Sequence, residues 1–83
     1  MLPMRLDLYL STLGIIKRRT VAKEMGDSGL IKLNGHRSKP ANEVKVGDVI
    51  QIGGGHPVTV EVTMLPERNV RKEDRGDYYR QIG

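Results

Sequence analysis

The sequence predicts an α+β fold, in which two N-terminal helices pack on a small, mostly antiparallel sheet and a polar C-terminal tail follows. Three observations support it: apolar residues recur at helical spacing near the N-terminus, alternate with polar ones near the middle, and become sparse after Pro66. A chain of 83 residues suffices for one domain with a thin core. We place this domain at residues 4–65 and the charged tail at residues 66–83.

The first helix is predicted from four apolar residues with one buried face. Leu6, Tyr9, Leu10 and Leu13 follow the i, i+3, i+4, i+7 pattern. Gly14 then provides a natural C-terminal stop. Together they indicate a short helix near the N-terminus.

The second helix is predicted to begin near Arg18 and to end before Gly29, because glycine often stands at the C′ position. With residues set 100° apart, the core face carries Val21, Ala22 and Met25. The opposite side of this helix is then available for charged side chains.

The remaining elements are predicted strands separated by turn signals. Asn34-Gly35 favours a two-residue type I′ turn, and Pro40 keeps the next segment irregular or at a sheet edge. The predicted strands cover residues 30–33, 49–52 and 57–64, the last with Val58, Val60, Val62 and Met64 on its buried face. The tail is expected to be frayed or to form a short peripheral helix carrying Tyr78 and Tyr79.

Composition argues against several functional classes. The chain has no cysteine, and its two histidines, His36 and His56, have no neighbours at ligand spacing, so we expect no metal and no cofactor. No paired carboxylates or triad pattern suggests catalysis, so we expect a protein that is not an enzyme. Neither a secretory signal nor a membrane span is predicted, and we expect a cytoplasmic location.

Positive charge is concentrated in the N-terminal half. The net charge is +4, and residues 1–39 hold eight cations and three acids whereas residues 40–83 hold six cations and seven acids. The two halves therefore carry +5 and −1. This asymmetry favours a polyanionic partner for the N-terminal half.

The densest basic run is Lys17-Arg18-Arg19, at the start of the second predicted helix. Arg19 and Lys23 share one side of this helix, and no acid of the same helix lies between them. Cations at this end oppose the helix dipole, but they suit an external phosphate that also reaches Thr20 and the free N–H groups. A solvated basic face without a ligand is the alternative at this point.

Four segments in order resemble a known family: RLDLYL, IIKRRTVAKEM, GLIKLNGHRSKP and VKVGDVIQI, within residues 4–52. They resemble the S4-type RNA-binding domain, first described in ribosomal protein S4, and within it the RqcP (YabO-type) group and a related small heat-shock ribosome-binding protein. The resemblance implies binding to ribosomal RNA and tRNA on the large ribosomal subunit, and we expect the protein to be a monomer. It also implies a role in quality control of stalled nascent chains, with a nascent-chain tailing factor as a further partner.

The resemblance also implies which residues face RNA. They are Arg5, Lys17, Arg18, Arg19, Thr20, Lys23, Lys32, Asn34, Arg37 and Lys39. Leu8 and Gly14 depart from the family pattern, which often has lysine and arginine there, and Leu8 could be an exposed apolar contact. A protein-interaction adaptor, or a general rRNA-binding or ribosome-maturation factor, using the same basic surface is the alternative function.

Overall fold

Two α-helices, seven strands and a 3₁₀ helix are present in the computed structural model, which describes residues 4–67 and 70–83. The helices are α1 (Leu6–Thr12) and α2 (Arg19–Asp27), and the 3₁₀ helix covers Lys72–Asp77. The strands are β1 (Met4–Arg5), β2 (Ile31–Leu33), β3 (His36–Arg37), β4 (Glu43–Val44), β5 (Val49–Ile52), β6 (Val58–Val62) and β7 (Tyr79–Gln81).

The strands form one five-stranded sheet and one separate pair. The large sheet has the order β3-β2-β5-β6-β7, with every neighbouring pair antiparallel. The short β1 pairs with β4, which places the start of α1 beside the segment after Pro40. The predicted α+β architecture with an antiparallel sheet is confirmed.

The core lies between the helices and one face of the large sheet. All four residues that predicted α1 are buried, with Gly14 at a φ of +69° just beyond the helix. They pack in one cluster with strand residues that alternate toward the helices. The buried strand residues are Ile31, Val44, Ile50, Ile52, Val60 and Val62.

The C-terminal end of α2 agrees with the prediction, but its core face differs. Leu30 N–H donates to the Met25 carbonyl and Gly29 N–H donates to the Gly26 carbonyl, at 2.9 and 3.1 Å, which is a Schellman motif with glycine at C′. Val21, however, is 40% exposed, whereas Gly26 is buried against the ring of Pro40. The close approach that glycine permits rotates the buried face away from Val21.

The central hairpin forms as predicted. Asn34 and Gly35 both have positive φ, 53° and 84°, as a type I′ turn requires, and Leu33 pairs with His36 across it. In β6 the prediction is partly wrong, because the strand ends at Val62 and Met64 is 47% exposed. The backbone of Met64 turns to meet the C-terminal segment instead.

The C-terminal segment differs most from the prediction. Instead of a frayed tail or a peripheral helix carrying both tyrosines, it forms the 3₁₀ helix and then the edge strand β7, paired with β6 from Val60 to Val62. The Tyr78 carbonyl accepts a 2.8 Å hydrogen bond from the buried Tyr9 hydroxyl. β6 would otherwise present unpaired backbone groups, which β7 satisfies.

The Tyr9–Tyr78 hydrogen bond should make a measurable contribution to the free energy of unfolding. The Tyr9→Phe variant is expected to lose about 1 kcal/mol of unfolding free energy, because the Tyr78 carbonyl still accepts bonds from Thr63 and Met64 N–H. Thermal unfolding at pH 7 should therefore show a midpoint lower by roughly 4–8 °C. Tyr79→Phe is the control; an equal loss there would contradict a specific role for the Tyr9 hydroxyl.

Ionisation of the Tyr9 hydroxyl should make the stability of the fold depend on pH in the alkaline range. Burial, with a smaller effect of nearby Tyr79, raises the pKa of the Tyr9 hydroxyl well above its ordinary value of 10.0. The Tyr9 hydroxyl therefore ionises at lower pH in the unfolded chain than in the folded one. Its contribution to the free energy of unfolding is complete below pH 10 and is lost as pH rises further. Wild type should destabilise above pH 10 more steeply than Tyr9→Phe; parallel stability curves would contradict this.

Candidate nucleic-acid interface

A buried aspartate, Asp7, joins two arginines at the N-terminal ends of the helices. Arg5 donates to its carboxylate through Nε and Nη2, at 3.1 and 3.2 Å, and Arg19 Nε lies 3.4 Å from Oδ2. The Leu8 N–H donates to Oδ1 at 2.8 Å. Asp7 is only 1% exposed, so the carboxylate is surrounded by these donors and the core. We call Arg5, Asp7 and Arg19 the arginine clamp.

Local sequence places Arg5 beside Asp7, and the packing of α2 on α1 brings Arg19 to them. Arg5 is the extended residue before α1, so its side chain lies beside Asp7 in the first helical turn. An acid there also suits the positive end of the helix dipole. Arg19 is the first residue of α2, whose N-terminus lies against that of α1. The carboxylate therefore holds one arginine from each helix start.

Both arginines keep donors for an external anion. The side chains of Arg5 and Arg19 are 45% and 49% exposed, and each guanidinium has five N–H groups. Arg5 uses two of these N–H groups on Asp7 and keeps three. Arg19 uses one on Asp7 and keeps four. The clamp carries a net charge of +1 and presents these donors in fixed positions. A phosphate group, which accepts several charge-assisted hydrogen bonds, matches this arrangement.

The other predicted residues of the helix region are all exposed. Lys17, Arg18, Thr20 and Lys23 carry no side-chain hydrogen bond or ion pair within the described part of the chain. The first turn of α2 contains no acid, and Arg18, its N-cap, makes no side-chain cap. Free backbone N–H groups of this turn therefore add to the clamp.

The hairpin residues divide into two kinds. Asn34 uses its side-chain amide within the fold, donating to Asp48 at 3.1 Å and accepting from Val49 N–H at 2.9 Å. Arg37 donates to the Asp27 carbonyl at 3.3 Å, at the end of α2. Both therefore have a structural role that their sequence positions did not reveal. Lys32 and Lys39 are exposed, and neither has an ion pair in residues 4–67 or 70–83.

Asp7 was not predicted as a site residue, and it organises the two arginines. The available signal was its place two positions after Arg5, in the first turn of a predicted helix. Its pairing with Arg19, 12 residues away, could not be read from that spacing. Leu8, considered as an exposed apolar contact, is instead partly buried.

Within the described residues no group of three histidine, aspartate or glutamate side chains is placed to hold a metal ion. Of the helices described, none has the length and apolar character needed to cross a membrane.

Comparison with known proteins gives matches over most of the chain. Residues 4–50 match the model of the S4 domain. The chain is 42% identical to the RQC P-site tRNA stabilizing factor of Streptococcus pneumoniae over 79 residues, 95% of this chain and 90% of that protein. The Bacillus subtilis protein of the same name is 42% identical over 77 residues, covering 92% and 88%.

A solved structure extends the similarity to the fold. The trimeric structure of Vibrio cholerae heat shock protein 15 superposes with a TM-score of 0.88 and 26% sequence identity. The match covers 98% of this chain and 83% of that one. It therefore includes the C-terminal segment as well as the helices and the central hairpin.

Proposed function

Because this chain belongs to the S4 domain family, together with the RQC P-site tRNA stabilizing factors, we propose that it is an RNA-binding protein of ribosome-associated quality control. It binds the large ribosomal subunit that holds a P-site tRNA after a stall, contacting both ribosomal RNA and tRNA. The role is to stabilise this complex by binding, without catalysis. The observation that carries the proposal is the arginine clamp.

The arginine clamp supports phosphate recognition for a physical reason. Two arginines near one carboxylate lose much of their side-chain freedom before RNA binds, so less entropy is lost on binding. The surrounding cations Lys17, Arg18 and Lys23 increase the local positive potential. The surface is therefore preorganised at its centre and adaptable at its edge.

Base stacking should contribute little to affinity. The chain has no phenylalanine and no tryptophan, and three tyrosines are its only aromatic residues. Tyr9 is fully buried, and Tyr78 and Tyr79 pack partly against the core. Affinity should instead come from phosphate contacts, which make binding strongly dependent on salt.

The proposed function also includes a bound tRNA, a partner factor, a cellular location and an oligomeric state. We propose that the bound tRNA carries the nascent chain, and that the complex serves a nascent-chain tailing factor. The protein acts in the cytoplasm, and as a monomer. Sedimentation of the purified protein alone tests the monomer, and sedimentation on purified large subunits with and without peptidyl-tRNA tests whether the bound tRNA carries the nascent chain.

The test of the proposed function is binding to large subunits that carry peptidyl-tRNA, measured over a range of salt concentrations. Wild-type affinity should fall with salt, with a slope of log affinity against log salt of about −0.7 to −0.9 per phosphate contacted. Arg19→Ala should weaken binding about 10- to 100-fold. Its unfolding free energy should change by at most about 1 kcal/mol, because Arg5 still pairs with the Asp7 carboxylate and the Arg19 side chain is half-exposed.

Lys72→Ala is the matched control for Arg19→Ala, since Lys72 is exposed and lies on the 3₁₀ helix. It should leave affinity close to wild type. A flat salt dependence in wild type would contradict phosphate recognition. Binding that persists after complete RNA digestion would instead support a protein-interaction adaptor, and equal affinity for empty subunits would support a general rRNA-binding or maturation factor.

A further inference from the structure

Arg75, in the C-terminal 3₁₀ helix, is a cation whose acid partner is missing among the described residues. Its side chain is only partly exposed, its Nε is buried, and that atom has no hydrogen-bond partner in residues 4–67 or 70–83. Two other arginines of the C-terminal segment differ. Arg71 and Arg80 form ion pairs with Asp74 and Glu61 at 3.1 and 2.6 Å. A partly buried guanidinium without such a partner is costly unless an anion comes from outside.

The position of Arg75 depends on a glycine. Gly14 follows α1 with a φ of +69°, and a Cβ built there would lie 3.1 Å from Arg75 Cζ. The guanidinium therefore occupies the space that a side chain at residue 14 would fill. Contact with the Gly14 backbone restricts the guanidinium to one place on the surface.

That place adjoins the basic surface. Gly14 is three residues before Lys17, so their Cα atoms are at most about 11 Å apart. Helix α1 has seven residues and is about 10 Å long. It separates Gly14 at one end from the arginine clamp at the other. One RNA strand can therefore meet the arginine clamp, the Lys17–Arg18 connection and Arg75.

We propose that Arg75 is a further phosphate-binding residue of this RNA surface, contributed by the C-terminal segment. The inference rests on the proposed function, because the anion it assigns to Arg75 is a phosphate of the same bound RNA. Docking of β7 on the sheet then completes the binding surface as well as the fold. The C-terminal segment, with three acids between residues 72 and 77, contributes through this one restrained cation and not through its total charge.

A purely structural role for Arg75 makes a different prediction. The guanidinium lies near the C-terminal end of α1, where a cation interacts favourably with the helix dipole. In that case its removal would lower stability and leave the affinity of the folded protein unchanged. Binding and stability must therefore be measured on the same variants.

The experiment uses the full chain and purified large subunits carrying peptidyl-tRNA. Arg75→Gln should weaken binding about 10-fold and make the salt slope shallower by about 0.7 to 0.9, which corresponds to one lost phosphate contact. Arg75→Lys keeps the charge and should retain most of the slope. Arg71→Gln, the matched control from the same segment, removes an exposed, ion-paired arginine and should leave both quantities at wild-type values.

The outcomes separate the two proposals. If wild type binds with the expected salt dependence but Arg75→Gln matches it in affinity and slope, the role of Arg75 is wrong while the proposed function stands. Wild type without salt-dependent binding would contradict the proposed function itself. If Arg75→Gln unfolds at the assay temperature, Arg75→Met decides, because it keeps an unbranched stem and removes the charge. A folded Arg75→Met with the shallower slope supports the phosphate contact, and one with the wild-type slope contradicts it.

Discussion

The double variant Arg5→Gln/Arg19→Gln should lose about 3–5 kcal/mol of unfolding free energy, because it leaves the Asp7 carboxylate buried with no cation beside it. The Leu8 N–H remains as a donor but does not neutralise the charge. Binding to large subunits should weaken by at least about 100-fold, since two charged contacts are removed together. Thermal unfolding and co-sedimentation of one preparation measure both effects.

A third substitution separates stability from binding in that variant. Adding Asp7→Asn removes the buried charge while an amide oxygen can still accept from the Leu8 N–H. The triple variant should therefore regain most of the lost stability and none of the lost affinity. Recovery of binding together with stability would show that the arginines act only through folding, which would contradict the phosphate role of the arginine clamp.

Shortening the chain to residues 1–65 should abolish cooperative folding. The truncation removes β7, the carbonyl that accepts from Tyr9, and the core contacts of Tyr78 and Tyr79. Full burial of two large side chains would contribute about 3–6 kcal/mol, and the partial burial of these two, with the pairing of β7, contributes a large part of that. A domain of this size has only about 4–12 kcal/mol in total. Circular dichroism during thermal unfolding should show a broad, shallow transition where the full chain shows a sharp one.

The control for the truncation is Arg80→Ala in the full chain. It removes only the exposed ion pair with Glu61 on β7 and should cost at most about 1 kcal/mol. A cooperative transition of residues 1–65 near the full-chain midpoint would contradict the expected role of β7. It would favour the original prediction of a domain at residues 4–65 with a dispensable tail.

Short-range sequence patterns predicted much of the exposed basic surface. The charge pattern places the cations Lys17, Arg18, Arg19 and Lys23 around a helix start, and all four are exposed there. What remained unpredicted was the internal pairing of the cations. Asn34 and Arg37 make hydrogen bonds within the fold that no spacing rule indicates, because their partners lie on other elements. RNA contact by each of these residues stays a prediction until binding is measured.

Elements whose signals lie within a few residues can be predicted from sequence alone. The periodicity of α1, the glycine that ends α2 and the Asn34-Gly35 turn are local, because backbone geometry and one buried face are set by near neighbours. Which groups meet across the chain depends instead on tertiary packing. Asp7 meets Arg19 over 12 residues and Tyr9 meets Tyr78 over 69.

Those long-range contacts depend on how whole elements pack. The contact of Gly26 with Pro40 sets the rotation of α2. The edge of β6 pairs with β7, which belongs to a segment whose charged composition predicted a tail. Nearby sequence does not indicate either contact. Burial and strand pairing depend on which surfaces are complementary, and these surfaces come from distant parts of the chain. The arginine clamp and the position of Arg75 follow from the same packing. The charges of the proposed binding surface can therefore be read from nearby sequence, whereas its geometry depends on the whole fold.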